Sequence, residues 1–287
     1  MNQPAREAAN ERATAFQRSE LTSLCVVTAA EVEFRAVAGL LGAPIIESRE
    51  PLRLCRGRRR QCEITLLISE VGASGFAQRL AHHLAATRYD ALLVIGLAGG
   101  LDPQLGTGEV VVYDSCFAAN PGRLDSAPAT IGREKRLARE EFASLDCHAG
   151  LSERVLTSLR AGGLKGRRGT GLTGDRVIVN AAEKRVLWER YGASVVDMET
   201  YQILSACAQF NLPATAVRIV SDEADQDLPD FNQAIDRAGK IVAGRAALAL
   251  LGRPAAAIRF LFSLRRVMKS LRQAADLILN GTPARLD

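Results

Sequence analysis

The 287-residue chain is predicted to fold as a single α/β domain around a central, largely parallel twisted sheet flanked by helices, with a basic amphipathic helix at its C-terminus. Three observations predict this. From Ser23 onward, apolar runs of strand length alternate with segments of helical period, the pattern of strands joined by crossover helices. Several runs end in glycine or an acidic residue, which is what the carboxyl edge of an open parallel sheet offers a ligand. Apolar residues make up 47% and charged residues 24%, a balance that lets a chain of this length bury a sizeable core.

The elements follow in order. Residues 1–20 are polar and lack the apolar stretch of a secretory signal, so they read as a loose tail. Strands are expected at Leu24–Thr28, Cys62–Glu70, Ala91–Gly96, Glu109–Asp114, Val195–Val196 and Ala214–Ser221. Helices are expected at Glu31–Leu41, Ser74–Thr87, Ser152–Leu159, Ala181–Tyr191 and Glu199–Phe210. Arg123–Ala149, with mixed charge, Pro128 and Gly132, reads as an insertion or long connection, and whether it covers a site is left open. The main domain is placed at 21–252 and a C-terminal extension at 253–287. There Ile258, Leu261, Phe262, Leu264, Met268, Leu271, Ala275 and Ile278 recur close to a helical period. Between them stand Arg253, Arg259, Arg265, Arg266, Lys269 and Arg272, with no acid before Asp276. Two readings fit: a last helix packed on the body or on a partner, and a helix lying through 253–279 on an anionic membrane surface.

Composition excludes several classes. With 37 Lys and Arg against 32 Asp and Glu the net charge is only +5, which gives no support for nucleic acid binding. Apolar runs fall short of the roughly 18 residues of a spanning helix. Six scattered cysteines without a C-x-x-C pair read as reduced thiols in a cytoplasmic protein, and three histidines, His82, His83 and His148, make no metal site.

Four stretches can carry chemistry. Thr28-Ala-Ala-Glu-Val-Glu33-Phe-Arg35 places two acids and an arginine at the start of a helix, where acids also complement the helix dipole. Glu70-Val-Gly72-Ala-Ser-Gly75 and Gly96-Leu-Ala-Gly99-Gly100 let backbone amides approach an anion or a hydroxyl, and are equally tight turns. Neither is a dinucleotide fingerprint or a P-loop, so an oxidoreductase on a doubly wound sheet finds little support. Val195-Val-Asp197-Met198-Glu199-Thr200 and Ile219-Val-Ser221-Asp222-Glu-Ala-Asp225 end apolar strands in carboxylates, which hold sugar hydroxyls or cap helices.

Together, Ala-x-x-x-Glu33, Gly-Leu-Ala-Gly-Gly at 96–100, Thr-Gly-Asp175, Val-Asp-Met-Glu199 and Ser-Asp222-x-Ala-Asp225 resemble the purine nucleoside phosphorylase and methylthioadenosine/adenosylhomocysteine nucleosidase superfamily. The resemblance runs from Ser23 to about Leu228, and among the branches it is nearest the hopanoid-associated phosphorylases. It implies cleavage of the N-glycosidic bond of an adenosine-type nucleoside, with a lipid-linked 5′ substituent in the hopanoid branch; the alternative is a nucleoside-binding protein without catalysis. The resemblance makes Asp222 the acid toward purine N7, oriented by Ser221, and Glu199 the holder of the ribose hydroxyls beside Met198. Val177 and Ile178 fall where the base is read, and Ala98 and Gly99 line the substrate. Glu33 falls where nucleosidases activate water, whereas Arg35 with Gly72 would hold phosphate as co-substrate, so hydrolysis and phosphorolysis both stay open. Leu97 stands where many members have serine or threonine, and Val177 where nucleosidases often have phenylalanine. The resemblance implies a homo-oligomer and no metal or organic cofactor.

Overall fold

The computed structural model describes residues 21–49, 52–72, 75–119, 143–236 and 254–281, with positions 242, 244 and 245. The N-terminal tail and most of Arg123–Ala149 lie outside the described residues. In chain order the elements are β1 (Ser23–Thr28), α1 (Glu31–Ala38), β2 (Gly42–Arg49), β3 (Leu52–Arg59), β4 (Cys62–Ile68), α2 (Phe76–Ala86), β5 (Ala91–Gly100), β6 (Val110–Ala118), β7 (Ser144–Asp146), α3 (Ala149–Ala161), β8 (Gly166–Thr173), α4 (Ala181–Tyr191), β9 (Val195–Asp197), α5 (Thr200–Gln209), β10 (Ala214–Asp222) and α6 (Pro254–Asn280).

The α/β architecture is as expected. One ten-stranded sheet runs β10-β6-β8-β9-β5-β1-β4-β3-β2, with β7 paired to β6 off this path, and a further pairing of β10 with β5 closes five of its strands into a ring. The centre is parallel, with β1 beside β4 and β5, and β5 beside β10. Antiparallel pairs enter at the β2-β3-β4 edge and where β9 meets β5. β5 is the axis of the site. Its buried start lies against β1 at Ala91–Val94, while its end, Gly99 and Gly100, faces Val196 and Val195 of β9 on the same edge. β10 occupies the opposite edge and brings Asp222 level with Gly99 across a bulge after Val220.

Four strands, β2, β3, β7 and β8, escape the sequence reading; β7 falls within Arg123–Ala149, which reads as a connection. β2 and β3 have arginines or a proline where alternation is sought, because they form the outer hairpin. β8, Gly-Arg-Arg-Gly-Thr-Gly-Leu-Thr, is glycine-rich because its neighbours leave no room: a Cβ at Gly171 would stand 1.9 Å from the Tyr113 ring, and one at Gly169 would stand 2.7 Å from Ser194 Oγ. Glycine there is a packing requirement within a strand, not a turn signal.

α6 is the helix expected at the C-terminus, and its described part packs on the body, the first of the two readings. Val267, Leu271, Ala274, Ala275, Ile278 and Leu279 are buried in one cluster with Phe34 and Val37 of α1, Val155 and Leu159 of α3, and Ile95 and Ile219 of the sheet. The apolar stripe therefore covers the body, as an amphipathic helix does when a sheet face is uncovered. Arg59 of β3 ties down its end, with Nε donating to Asn280 Oδ1 at 2.9 Å and its guanidinium pairing with Asp276. Arg265, Arg266, Lys269 and Arg272 face outward, and Phe262 is 77% exposed. Among the described residues, no helix is long and apolar enough to cross a membrane.

Candidate active site

The site is built on the last turns of β5, where each residue serves a different neighbour. A Cβ at Gly96 would stand 2.6 Å from Arg218 Nη1 and 3.0 Å from Glu33 Oε1, so only glycine lets these two side chains pass over the strand. Leu97 N donates to Glu33 Oε1 at 2.8 Å, and Leu97 O accepts from Arg218 Nη1 at 3.3 Å. Ala98 O accepts from Ser221 Oγ at 3.0 Å, and Asp222 Oδ2 would lie 3.3 Å from a Cβ at Gly99.

Arg218, on β10 and 1% exposed, is the hub. Its Nη2 donates to Thr200 Oγ1 at 2.7 Å and lies 3.5 Å from Glu199 Oε2, and its Nε is 3.3 Å from Asp197 Oδ2. Burial alone would pull the guanidinium down, but Asp197 and its acidic neighbours hold it above its ordinary value. Asp197, also buried, accepts from Tyr113 Oη at 2.8 Å, Thr173 Oγ1 at 2.9 Å and the backbone N–H groups of Glu199 and Thr200. Burial pushes its carboxyl up, yet Arg218 and these donors outweigh that and hold it below the usual range. Asp197 thus caps α5 and fixes Arg218.

Glu199 has a poorer donor set. Gly72 N donates to Oε1 at 2.8 Å, from a loop turned by left-handed backbone at Glu70 (φ +62°) and Gly72 (φ +57°). Burial, opposed by Arg218 and reinforced by Asp197, pushes its carboxyl up to about 7. Met198 packs onto Gly72, where a Cβ would stand 2.7 Å from Met198 Cε.

Glu33, 3% exposed on the first turn of α1, accepts from Ala29 N and Ala30 N at 2.9 Å as well as from Leu97 N. It therefore caps its own helix and holds the Leu97 amide of β5 at once. A carboxylate has about four lone-pair directions, so one more remains for a proton-bearing ligand such as water.

On β10, Asp222 is 2% exposed. Ser221 Oγ lies against its Oδ1, its one proton shared between that oxygen and Ala98 O, and Lys184 Nζ of α4, itself fully buried, donates to its Oδ2. Burial raises the Asp222 carboxyl above its ordinary value, and Lys184 opposes that rise. Nearby, Asn232 spans the backbone of Val177, its Oδ1 accepting from Val177 N at 2.8 Å and its Nδ2 donating to Val177 O at 3.0 Å. Ile178 is buried between Leu101, Leu172 and Val196. This pins the stretch that the sequence reading assigned to the base.

The structure thus gathers Glu33, Ala98, Gly99, Met198, Glu199, Ser221 and Asp222 around β5. Arg35 stands apart: its side chain is 77% exposed and its Nε donates to Glu31 Oε1 at 2.7 Å, because a residue two past Glu33 leaves the helix on another face. The Gly72 amide is already engaged by Glu199. The phosphate cradle expected from Arg35 and Gly72 is not assembled. Sequence reading missed Arg218, Lys184, Tyr113, Thr200 and Asn232. A charged residue inside the otherwise apolar run Ala214–Val220 was a usable signal for Arg218; nothing local distinguishes Lys184 from a solvated helix lysine.

This fold, with buried acids gathered at the glycine-lined carboxyl end of β5, is that of an enzyme that cleaves N-ribosyl bonds. The chain belongs to the phosphorylase superfamily, which matches residues 23–252. It is similar to a 5′-methylthioadenosine/S-adenosylhomocysteine nucleosidase of Glaesserella parasuis serovar 5 (strain SH0165), 24% identical over 213 residues that span 70% of this chain and 86% of that protein. Its fold is that of the Neisseria meningitidis 5′-methylthioadenosine/S-adenosylhomocysteine nucleosidase crystallised with methylthio-immucillin-A (TM-score 0.67, 18% identity, 91% of this chain and 99% of that one). Futalosine hydrolase of Helicobacter pylori strain 26695 is similar too (TM-score 0.63, 17% identity, 89% and 97% covered).

Proposed function

We propose that this enzyme hydrolyses the N-glycosidic bond of an adenosine-type nucleoside. The observation that carries the choice of water over phosphate is the charge balance around Arg218. Its single cation serves Asp197 and Glu199, with Glu33 close enough to act on it, while Arg35 lies on Glu31. A phosphate dianion brought there would meet surplus carboxylate, whereas water meets an acceptor on Glu33. In this reading Glu33 takes a proton from the water whose oxygen bonds to the anomeric carbon. Glu199 accepts from the ribose hydroxyls, and the C–N bond breaks as Asp222 gives its proton to purine N7. The relatives named above, nucleosidases and a hydrolase, agree with it.

Chromatography of adenosine, methylthioadenosine and adenosylhomocysteine after incubation with and without phosphate tests this. Base release without phosphate, lost by about 10²–10⁴-fold in Glu33→Gln, is expected. Strictly phosphate-dependent release with ribose 1-phosphate overturns it.

For the 5′ side we propose a large apolar substituent, as on a lipid-linked adenosine, met at an anionic membrane surface. The outward cations Arg265, Arg266, Lys269 and Arg272 and the exposed Phe262 support this, although the stripe from Val267 onward is occupied by the body. Co-sedimentation with anionic vesicles, reduced in Phe262→Ser, is the expected result. No sedimentation at low salt overturns it.

A further inference from the structure

Lys184 is 0% exposed and sits in the first turns of α4, the end of a helix at which the dipole disfavours a cation. Nothing in helix formation asks for it: Asn180 already caps α4, its Oδ1 accepting from Ala182 N at 2.7 Å. Its Nζ has three partners, Asp222 Oδ2, Glu223 O at 2.8 Å and Gln226 O at 2.9 Å. Three acceptors match the three donors of an ammonium and leave no place for the lone pair of a neutral amine, so the group is charged. A buried ion pair contributes little net stability compared with apolar side chains of the same volume, so packing does not account for the pair either.

We propose that Lys184 is the positioning residue of the leaving-group acid: its ammonium pins Asp222 Oδ2, leaves Oδ1 with the Ser221 hydroxyl as the edge offered to the purine, and keeps a compensating charge beside the carboxyl through the proton transfer. The inference rests on the assignment of Asp222 as the acid. Other charged groups near the pair point elsewhere. Glu183 binds Arg176, Glu223 accepts from Thr107, Asp227 accepts from Ala181 N, and Arg185 and Asp225 are exposed; β5 and β9 contribute only Ala98, Gly99, Gly100 and Val196. Lys184 is thus the cation that faces Asp222.

The sign of its effect follows. A cation favours the ionised acid, so its removal lets Asp222 keep its proton to higher pH. In Lys184→Met the alkaline limb of kcat/KM is expected to move upward by about 1–3 pH units, the effect of losing one adjacent opposite charge, with KM little changed. Lys184→Gln, which keeps a hydrogen bond but no charge, is expected to show the same upward move. A role limited to holding the fold would scale the whole profile without moving it, and that result overturns the proposal. So does failure of both variants to fold at any pH tested. Asp222→Asn separates the two readings: if it stays fully active, the acid assignment itself falls. If it is inactive while the limb of Lys184→Met stays in place, only the role of Lys184 falls.

Discussion

The two fully buried cations among the described residues, Arg218 and Lys184, sit on either side of the carboxyl end of β5 and do different work. Arg218 is outnumbered, with Asp197 and Glu199 on its nitrogens, whereas Lys184 faces one carboxylate and two backbone carbonyls. Around the outnumbered cation the carboxylates divide. Asp197, with Tyr113, Thr173 and Thr200 donating to it, is held low, and Glu199, with the Gly72 amide, is pushed up to about 7. Unequal donor sets, more than distance from Arg218, decide which carboxylate keeps its charge.

The largest expected effect comes from removing the outnumbered cation. Arg218→Met leaves Asp197 and Glu199 buried without compensation, and a loss of about 3–5 kcal/mol is expected in urea unfolding, together with loss of activity. If its stability matches the parent, Arg218 is not the hub. Asp222→Ala strands one cation only, and a loss near the lower end, about 3 kcal/mol, is expected. Here the balanced pair allows a sharper test: Asp222→Ala with Lys184→Met removes both charges and is expected to recover most of that stability while staying inactive. No single second substitution can do this at Arg218.

How far this contrast was legible in the sequence follows from its physics. Glu33, Glu199 and Asp222 stand at the ends of apolar runs, where a carboxylate has a positional signature, and the α/β pattern was readable because β1, β5 and β10 are buried on both faces. Arg218 and Lys184 owe their roles to contacts made across long chain separations, and periodicity carries no such information. Arg35 was misjudged because a helix rotates about 100° per residue, so two positions from Glu33 put it on the solvent side and on Glu31. The glycines of β8 carry no strand signal in the sequence, because the tyrosine that requires one of them, Tyr113, lies on another strand.

The raised Glu199 gives a prediction smaller in stability and plain in kinetics. Its carboxylate must be ionised to accept from ribose hydroxyls, so kcat/KM is expected to fall about tenfold per pH unit below about 7, and Glu199→Gln is expected to lose that limb along with most activity. Linkage fixes the accompanying stability trend. A carboxyl raised in the folded state contributes stability that is present below its unfolded value near 4.5 and lost as pH rises through about 7. Glu199→Gln should flatten that part of a stability-against-pH curve. An acid limb that survives the substitution overturns its assignment to Glu199.

The smallest effect is expected where a cation meets solvent. Arg59 pairs with Asp276 of α6, but their side chains are 28% and 39% exposed, so water already serves both charges. Asp276→Asn keeps the size and a hydrogen-bonding edge toward the guanidinium and is expected to lose only about 0–1 kcal/mol, an amount that shrinks further in high salt. α6 is held by Val267, Leu271, Ala275 and Ile278 rather than by this pair, so Leu271→Ala is the contrasting control, with a loss of about 2–5 kcal/mol expected. If Asp276→Asn proved as damaging as Leu271→Ala, the helix would be docked by charge rather than by its apolar stripe. Burial would then no longer separate the Arg59 pair from Arg218 and Lys184.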